Sequence, residues 1–351
     1  QKRITGIAEP SGRLGVLIPG MGAVATTLIA GVYLIVKRQG QPFGSLTQMQ
    51  KIQIGNCENS RFIAIKDLVH LAEPSDLVFG GWDITPENAY QTACNVGVLD
   101  QHMLGKVRLE LEAIAPWRGV FDQAYVRNLK GTHVKTGASK MDLAKALMED
   151  IQKFLDDNDL ERAVMIWCGS TEVYSEPGPI HQTLEFFEQG LCDNAPEISP
   201  SMIYAYASIM CNIPYSNGAP NLSVEIPALV DLANKKGVAI GGKDFKTGQT
   251  MMKTVIAPGL KTRMLGLEGW FSSNIIGNKD GEVLNDSGSF KAKEVSKSQV
   301  LNSIFDADLY PELYGDYHHK VCIDYYPPRG DAKESWDNID IQGWLGQPMQ
   351  I

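Results

Sequence analysis

The chain has 351 residues and a formal net charge of −9, which excludes a broadly basic surface for nucleic acid or anionic membranes. Apolar residues make up 44% and charged residues 21%, a composition typical of a globular protein, and the length suits two domains. The six cysteines are widely spaced and form no CxxC pair, which indicates reduced thiols in a cytoplasmic protein. We therefore expect neither nucleic-acid nor membrane partners.

Residues 14–36 form a run of 23 residues without a charge, long enough to suggest a membrane span. However, Pro19, Gly20 and Gly22 interrupt the run where a strand would turn into a helix. The basic pair and the glycine that follow the run are helix stop signals. We predict a buried strand at residues 14–19 and a helix that ends near residue 37, with neither a membrane span nor a signal peptide.

Two more short apolar runs, at residues 77–79 and 163–167, end in clusters of small and polar residues. A helical pattern at residues 141–154 lies between them. Strands that alternate with helices predict a parallel α/β sheet, whose ligands bind beyond the carboxyl ends of the strands. The clusters at residues 80–83 and 168–171 are therefore candidate ligand contacts.

The pattern changes after about residue 200, which predicts a second, α+β domain. Apolar runs at residues 237–240 and 264–273 flank a helix expected at residues 246–256 and closed by Pro258 and Gly259. A turn at residues 278–281, a helix at 294–304 and a strand at 321–326 are expected to follow.

The strongest single motif is the glycine turn at residues 20–26, Gly-Met-Gly-Ala-Val-Ala-Thr, between a predicted strand and a predicted helix. Glycines permit the tight turn and the approach of a pyrophosphate, and the helix N-terminus offers free amides to that anion. We predict a dinucleotide site here. The acidic residue expected about 20 positions further on, which would bind the ribose hydroxyls, is missing. Either another strand end supplies it, for which Asp83 is a candidate, or the cofactor is held in an atypical way.

A second motif lies at residues 241–253, where a strand is expected to lead through a glycine turn into a helix. Lys246, Thr250 and Lys253 are spaced i, i+4 and i+7, so they would share one face of that helix. Two ammonium groups and a hydroxyl could bind phosphate and stabilise an oxyanion. A solvated helix face explains the same pattern equally well.

Several separate motifs together resemble the myo-inositol-1-phosphate synthase family over almost the whole chain. Besides the glycine turn, they lie at residues 80–84, 167–174, 204–207, 217–221, 244–250, 273–281 and 293–298. The most specific are Asp-Phe-Lys-Thr-Gly-Gln-Thr at 244–250 and Lys-Glu-Val-Ser-Lys-Ser at 293–298. The resemblance implies an α/β protein with a Rossmann domain that binds NAD at residues 1–200 and a central α+β domain for catalysis and tetramer formation at residues 201–335. Residues 336–351 would begin a segment that returns to the Rossmann domain.

The resemblance also implies an isomerase, formally an intramolecular lyase, in the first step of inositol and inositol phospholipid biosynthesis. Such an enzyme converts glucose 6-phosphate to 1L-myo-inositol 1-phosphate by oxidation at C5, enolisation, aldol closure onto C1 and reduction by the NADH that was formed. NAD is regenerated, and oxyanions develop that ammonium groups can stabilise. The implied protein is a cytoplasmic homotetramer. The sequence leaves open whether a divalent cation or ammonium assists, and it shows no metal-ligand motif.

The resemblance assigns roles to individual residues. The catalytic set is Lys246, Lys253, Lys297, Asp244, Asn274 and Asp331, with the lysines in oxyanion and proton-transfer roles. The cofactor contacts are Gly20, Met21, Gly22, Ala23, Val24, Ala25, Thr26, Asp83, Ser170, Thr171 and Asp280. The substrate contacts are Asn217, Asn221, Gly248, Gln249, Thr250 and Lys293.

The chain departs from the family pattern in three places. Residues 23–25 are Ala-Val-Ala where eukaryotic members carry glycine and asparagines, and Ser170 stands where many members have asparagine. Family members also continue beyond Ile351 with a segment that supplies another active-site lysine. Two alternatives therefore stay open: a catalytically silent NAD-binding paralogue, and another Rossmann-type NAD-linked dehydrogenase, which would consume NAD stoichiometrically.

Overall fold

A computed structural model describes residues 12–56, 59–69 and 71–351, apart from the side chains of residues 294–299. The strands, in chain order, are β1 (Leu14–Pro19), β2 (Lys51–Ile54), β3 (Arg61–Ala64), β4 (Leu77–Asp83), β5 (Trp117–Arg118), β6 (Ala163–Trp167), β7 (Tyr215–Asn217), β8 (Ile240–Gly242), β9 (Gly266–Ile276), β10 (His318–Tyr325), β11 (Glu334–Gln342) and β12 (Pro348–Gln350). The α-helices are α1 (Ala23–Val36), α2 (Leu46–Met49), α3 (Ile65–Leu68), α4 (Ala89–Val96), α5 (Gln101–Lys106), α6 (Arg108–Glu112), α7 (Lys140–Asp157), α8 (Leu184–Cys192), α9 (Pro200–Met210), α10 (Pro227–Lys236), α11 (Gly248–Thr262), α12 (Lys279–Leu284), α13 (Ser287–Asn302) and α14 (Pro311–Tyr314).

Six strands form the first sheet in the order β5-β4-β1-β6-β7-β8, and every neighbouring pair is parallel. Counted along the chain within this sheet, the order is 3-2-1-4-5-6, the doubly wound order of Rossmann domains. The central strand β1 is buried along almost its whole length, as expected for a parallel sheet that has helices on both faces. The predicted parallel α/β sheet is confirmed.

Helices cover both faces of this sheet. One layer contains α1 and α4–α6, whose apolar side chains pack around Ile29 and Leu104. The other contains α7–α10 and packs around Leu147 and Tyr204. Helix α7 begins at a capping box, in which the Ser139 side chain accepts a hydrogen bond from the backbone N–H of Asp142 and the Asp142 side chain accepts one from Ser139.

The second sheet has four strands in the order β10-β9-β11-β12, with β10 parallel and β11 antiparallel to β9. Helix α11 packs on one face of this mixed sheet, where Ala257 and Leu260 join a core with Trp270, Leu301 and Ile339. The predicted combination of a Rossmann sheet with an α+β unit is thus present.

The first sheet extends past the predicted division at residue 200. Strands β7 and β8 follow that point, yet they pair with β6 and with each other, because α9 and α10 return the chain to the same sheet. We therefore propose that the Rossmann domain runs to Gly242. Of residues 336–351, β12 and most of β11 lie in the second sheet, where β12 pairs with the end of β11. The expected return of this segment to the Rossmann domain stays a prediction.

Two local predictions differ from the structure, and one hairpin was missed. Helix α11 continues through Pro258 to Thr262, because Ala257 and Leu260 on either side of the proline are packed into the second core. The predicted turn at residues 278–281 is the start of α12, with Asn278 as its N-cap. The hairpin β2–β3, inserted with α2 between α1 and β4, was not predicted.

In the part of the chain that the structure describes, none of the helices combines the length and apolar character that a bilayer crossing requires.

Candidate active site

A large cleft of about 740 Å³ lies at the carboxyl edge of the first sheet. The ends of β1, β4 and β6 meet there, as the strand order requires. Its walls also include Pro200 and Tyr204 of α9, and Lys279 and Glu282 of α12. Its volume lies in the range of small-molecule and cofactor sites.

The glycine turn forms one end of this cleft. Gly20 has φ of 89°, and a Cβ atom there would lie only 2.4 Å from the backbone N of Gly169. A Cβ at Gly22 would meet no atom within 4 Å, so this side of the turn is open. No side chain caps the N-terminus of α1. Free amides beside open space at a helix N-terminus fit the pyrophosphate of a dinucleotide.

Asp83 ends strand β4, which lies directly beside β1 in the sheet. One of its carboxyl oxygens, Oδ1, accepts hydrogen bonds from Thr85 N at 3.0 Å and Thr85 Oγ1 at 2.9 Å. Burial raises the pKa of this carboxyl group above its ordinary value. In Rossmann domains, the acid that binds the ribose hydroxyls lies at the end of the second strand of the sheet, which is β4 here. The inserted hairpin explains why no such acid occurs at the usual spacing after the glycine turn.

The other predicted cofactor residues are divided between several environments. Ser170 lines the cleft, and Ala23 and Val24 lie in the first turn of α1. Asp280 lines a different, smaller cavity. The remaining members are buried in the protein interior: Met21, Ala25, Thr26 and Thr171.

The smaller cavity has a volume of about 90 Å³, and its lining includes Asp244 of the predicted catalytic set and Thr250 and Lys293 of the predicted substrate contacts. Its polar lining comprises Asp244, Thr247, Thr250, Asp280, Lys293 and Lys333. Asp244 is only 7% exposed, has φ of 60°, and accepts a hydrogen bond from Lys293 Nζ on its Oδ1 atom at 2.7 Å. A non-glycine residue held in this backbone region is a feature that occurs at functional sites.

Two further lysines lie close to Asp244. Lys246 is exposed and donates from Nζ to Lys243 O at 2.8 Å, and desolvation lowers its pKa. Lys333 has a largely exposed side chain, but partial desolvation of its ammonium group lowers its pKa. The sequence did not point to Lys333, because it follows a Pro-Pro-Arg-Gly turn and belongs to no recognised motif. Three lysines therefore surround one buried carboxylate.

The predicted common face of Lys246, Thr250 and Lys253 is wrong, because α11 begins only at Gly248 and Lys246 precedes it. Lys253 is 0% exposed, and its Nζ lies 2.6 Å from His319 Nε2 and 5.9 Å from the centre of the Trp270 ring. Burial lowers the pKa of Lys253 to about 8. Lys253 thus points into the second core and does not line the smaller cavity.

Gln249 and Asn274 are also directed away from the smaller cavity. Gln249 Nε2 donates to Ser273 O at 3.0 Å and to Trp336 O at 2.8 Å. Asn274, which is 0% exposed, donates to Gln249 Oε1 and to Cys322 O, and its Oδ1 accepts from Ser335 Oγ. The side-chain amides of Gln249 and Asn274 therefore join α11 to the second sheet and do not line the smaller cavity.

Asn217 and Asn221 form a buried brace and do not line either cavity. Asn217 Nδ2 donates to Asn221 O at 2.9 Å, and Asn221 Oδ1 accepts from the backbone N–H of Glu172 at 2.8 Å. Asp331 accepts a hydrogen bond from Asn278 Nδ2 at 2.6 Å, in a turn next to Lys333. Gly248, with φ of 53°, begins α11, and a Cβ there would lie 3.7 Å from Lys333 Nζ. The side chain of Lys297 lies outside the described residues.

Helix α12 stands between the two cavities. Lys279 and Glu282 line the large cleft, whereas Asp280 and Leu284 line the smaller cavity. A ligand in the smaller cavity would therefore lie one short helix away from a ligand in the cleft. Within the described residues, no group of three or more His, Cys, Asp or Glu side chains is arranged to hold a metal ion.

A doubly wound sheet, a glycine turn and a neighbouring lysine-lined cavity define a dinucleotide-dependent enzyme of the Rossmann class. Residues 14–349 match the family model described as myo-inositol-1-phosphate synthase, whose name marks it as NAD-binding. The chain therefore belongs to the myo-inositol-1-phosphate synthase family.

Individual relatives agree with this assignment. The chain is 50% identical over 347 residues to inositol-3-phosphate synthase 1 of Bacteroides thetaiotaomicron, a match that covers 98% of this chain and 80% of that protein. It is 32% identical over 352 residues to inositol-3-phosphate synthase 1 of Oryza sativa subsp. japonica, covering 95% and 69%. The crystal structure of inositol-3-phosphate synthase from Caenorhabditis elegans superposes with a TM-score of 0.90 at 28% identity, covering 97% of this chain and 70% of that chain.

Proposed function

We propose that this protein is an inositol-3-phosphate synthase, which isomerises glucose 6-phosphate to 1L-myo-inositol 1-phosphate with NAD as a regenerated cofactor. The observation that carries the proposal is the position of the lysine-lined cavity next to the dinucleotide cleft, with α12 contributing residues to the lining of both. A reaction that oxidises and later reduces one substrate at one site needs this adjacency. The family membership and the relatives' names support the same activity.

NAD bound in the cleft would supply reversible hydride transfer to and from the sugar. The cleft residues have separate tasks in holding it. Gly20 and Gly22 let the backbone approach the pyrophosphate, and the uncapped N-terminus of α1 supplies amide donors. Asp83 is placed to accept hydrogen bonds from ribose hydroxyls. Ser170, at the end of β6, lies on the opposite half of the cleft.

The lysines of the smaller cavity are suited to the anionic substrate. Lys293 and Lys333 place two ammonium groups at a cavity that also contains the Thr250 hydroxyl. The N-terminus of α11 has no side-chain cap, so its first amides add donors beside Gly248. We assign this set to the phosphate group and to the oxyanions that form during cyclisation, because preorganised donors stabilise such charge.

Proton transfer is assigned to Lys246 and Lys333, the two lysines near Asp244 whose pKa is lowered by desolvation. A lowered pKa brings an ammonium group closer to the pH at which it can both give and take a proton. Asp244 holds Lys293 Nζ in place through their 2.7 Å contact, so it is assigned a positioning role. Asp331 has a similar role through Asn278. The catalytic role of Lys297 remains a prediction from the family resemblance.

We also propose that the protein is a cytoplasmic homotetramer. Large apolar side chains are exposed on and beside the last strands of the second sheet, among them Trp336 at 45%, Trp344 at 85% and Leu345 at 83%. Exposed apolar surface of this kind marks interfaces. Light scattering after size-exclusion chromatography tests the subunit number.

The activity is tested by incubating the protein with glucose 6-phosphate and a trace of NAD, with the product followed by phosphorus NMR. Inositol phosphate in large excess over NAD is expected. Lys293→Met and Lys333→Met should each lower kcat/KM by at least about 100-fold, since removal of a single oxyanion donor has that effect. Lys320→Met, which removes an exposed lysine from β10, is the control and should retain activity.

Two results would contradict the proposal. A requirement for stoichiometric NAD would identify a different dehydrogenase. Tight NAD binding without any conversion of glucose 6-phosphate would identify a silent paralogue.

A further inference from the structure

Glu172 is a buried carboxyl group in the cofactor cleft to which the proposed reaction gives no role. It lines the cleft and is only 2% exposed. Its Oε1 accepts a hydrogen bond from Ser201 N at 2.8 Å, and its Oε2 accepts one from Ser201 Oγ at 2.6 Å. Ser201 lies in the first turn of α9, so the carboxyl group caps this helix from a distant part of the chain.

The position of Glu172 in the sheet decides which part of a dinucleotide it faces. Rossmann domains consist of two mononucleotide-binding halves. The glycine turn and Asp83 belong to the half formed by β1, β4 and β5. Glu172 follows β6, which begins the other half. If Asp83 holds the adenosine side of the cofactor, the nicotinamide would lie on the side of Glu172.

Among the described residues, the other ionisable groups that line the cleft near Glu172 are neutral or already paired, so they add no second unpaired negative charge. Burial raises the pKa of the Cys168 thiol to about 12 and raises that of the Tyr204 hydroxyl, so both stay neutral near pH 7. Lys279 and Glu282 of α12, which also line the cleft, form an ion pair at 3.1 Å.

Oxidised nicotinamide carries a positive charge, and reduced nicotinamide carries none. A carboxylate held nearby in a desolvated wall therefore stabilises the oxidised form more than the reduced form. We propose that Glu172 sets the balance between the two redox states of the bound cofactor, favouring NAD⁺ over NADH through its charge. This inference depends on the proposed NAD-dependent function. By stabilising NAD⁺, Glu172 would favour the transfer of the hydride from NADH back to the sugar, so that NADH does not accumulate.

The charge on Glu172 changes near neutral pH. Burial raises its pKa to about 7, although the hydrogen bonds from Ser201 and Ser199 act in the opposite direction. The ionisable groups around it are Tyr125, Asp122, Tyr215 and Lys140. The preference for NAD⁺ should therefore be strong above this pH and weak below it.

The test compares the dissociation constants of NAD⁺ and NADH for the wild-type protein and Glu172→Gln, at about pH 6 and about pH 8.5. Glutamine keeps the shape and can still pair with Ser201. NADH is titrated by fluorescence, and NAD⁺ by competition with it. At the higher pH, the variant should lose at least about fivefold of the preference for NAD⁺. At the lower pH, the two proteins should differ much less.

The ratio of the two constants separates this role from a purely structural one. A structural role would weaken both dinucleotides equally, and an unchanged ratio at both pH values would overturn the proposal. Glu188→Gln is the matched control, because Glu188 accepts a hydrogen bond from Tyr206 of the same helix but does not line the cleft.

A second variant tests the proposal if Glu172→Gln does not fold. Ser201→Ala removes one donor to the carboxylate and should move the pH midpoint of the NAD⁺ preference upwards; an unmoved midpoint counts against the proposal. If the wild-type protein binds neither dinucleotide, the proposed function itself fails.

Discussion

Replacing Lys253 by methionine tests the cost of burying an ammonium group beneath the active site. The side chain is 0% exposed, and burial lowers its pKa from 10.5 to about 8. This shift corresponds to about 3 kcal/mol of differential stability. In the unfolded chain the lysine keeps its ordinary pKa, so below pH 8 the folded state carries the full cost of the buried charge. Between pH 8 and 10.5 the folded state loses its proton first, and the wild-type protein gains stability as the pH rises.

Methionine has a similar length and no charge, so the variant lacks this pH-dependent term. The variant also loses the contact with His319 and the interaction with the Trp270 ring, each worth about 1 kcal/mol. At pH 7 we therefore expect Lys253→Met to equal or exceed the wild type in stability, by up to about 2 kcal/mol. By about pH 10 the wild type should be the more stable protein, after a relative change of about 3 kcal/mol.

The measurement is the midpoint of urea unfolding at several pH values, followed by tryptophan fluorescence. Lys261→Met, on the same helix but with a side chain 37% exposed, is the control and should track the wild type across this range. A stability difference between Lys253→Met and wild type that is constant from pH 7 to pH 10.5 would refute the reasoning, since it would mean that Lys253 titrates alike in both states.

Two further substitutions test particular contacts. Gly20→Ala places a Cβ atom 2.4 Å from Gly169 N in a residue with φ of 89°, so it should lower the thermal unfolding midpoint and abolish NADH binding. Gly22→Ala faces open space, so it should leave the midpoint unchanged and only weaken NADH binding. Asn274→Leu leaves several buried hydrogen-bond partners unsatisfied, so it should lower the free energy of urea unfolding by about 2 to 5 kcal/mol. Asn338→Leu, on the exposed side of β11, is the control. A fall in kcat without any loss of stability would show that Asn274 acts in catalysis instead.

The sequence predicted elements that combine an apolar run with turn residues at its end. Strand β6 has the predicted bounds, and β1 does too, because buried parallel strands are continuous apolar runs. Strands β7 and β8 have three residues each, too few for a hydrophobic pattern, so the extent of the first sheet was missed. Helix α11 passes through Pro258 because of packing against strands far along the chain, which no local signal reports.

Side-chain direction was harder to predict than residue type. Within the motif at residues 244–250, Asp244 and Thr250 line the smaller cavity, whereas Gln249 faces the second sheet. Helical spacing alone placed Lys253 on the same face as Lys246, which is outside the helix. Lys333 directly precedes β11, and it joins the cavity through the pairing of β11 with β9, a contact between distant segments.

The brace formed by residues 217–221 explains how the two cavities keep a fixed separation. On one side, Asn221 Oδ1 holds the backbone of Glu172, in the loop that follows β6 at the cofactor cleft. On the other side, Ala219 O accepts the backbone N–H of Asp244 at 3.0 Å, and Asp244 in turn holds Lys293. Gly218 lies between them, where a Cβ would come within 2.3 Å of the Phe245 ring.

The contact between Asn221 and Glu172 is buried and the one between Asp244 and Lys293 is partly buried, so breaking either leaves a polar group with little water to replace its partner. Hydride transfer tolerates little variation in the distance between sugar and nicotinamide. We therefore propose that the motif at residues 217–221 aligns the two binding sites; the predicted substrate contacts of Asn217 and Asn221 stay predictions.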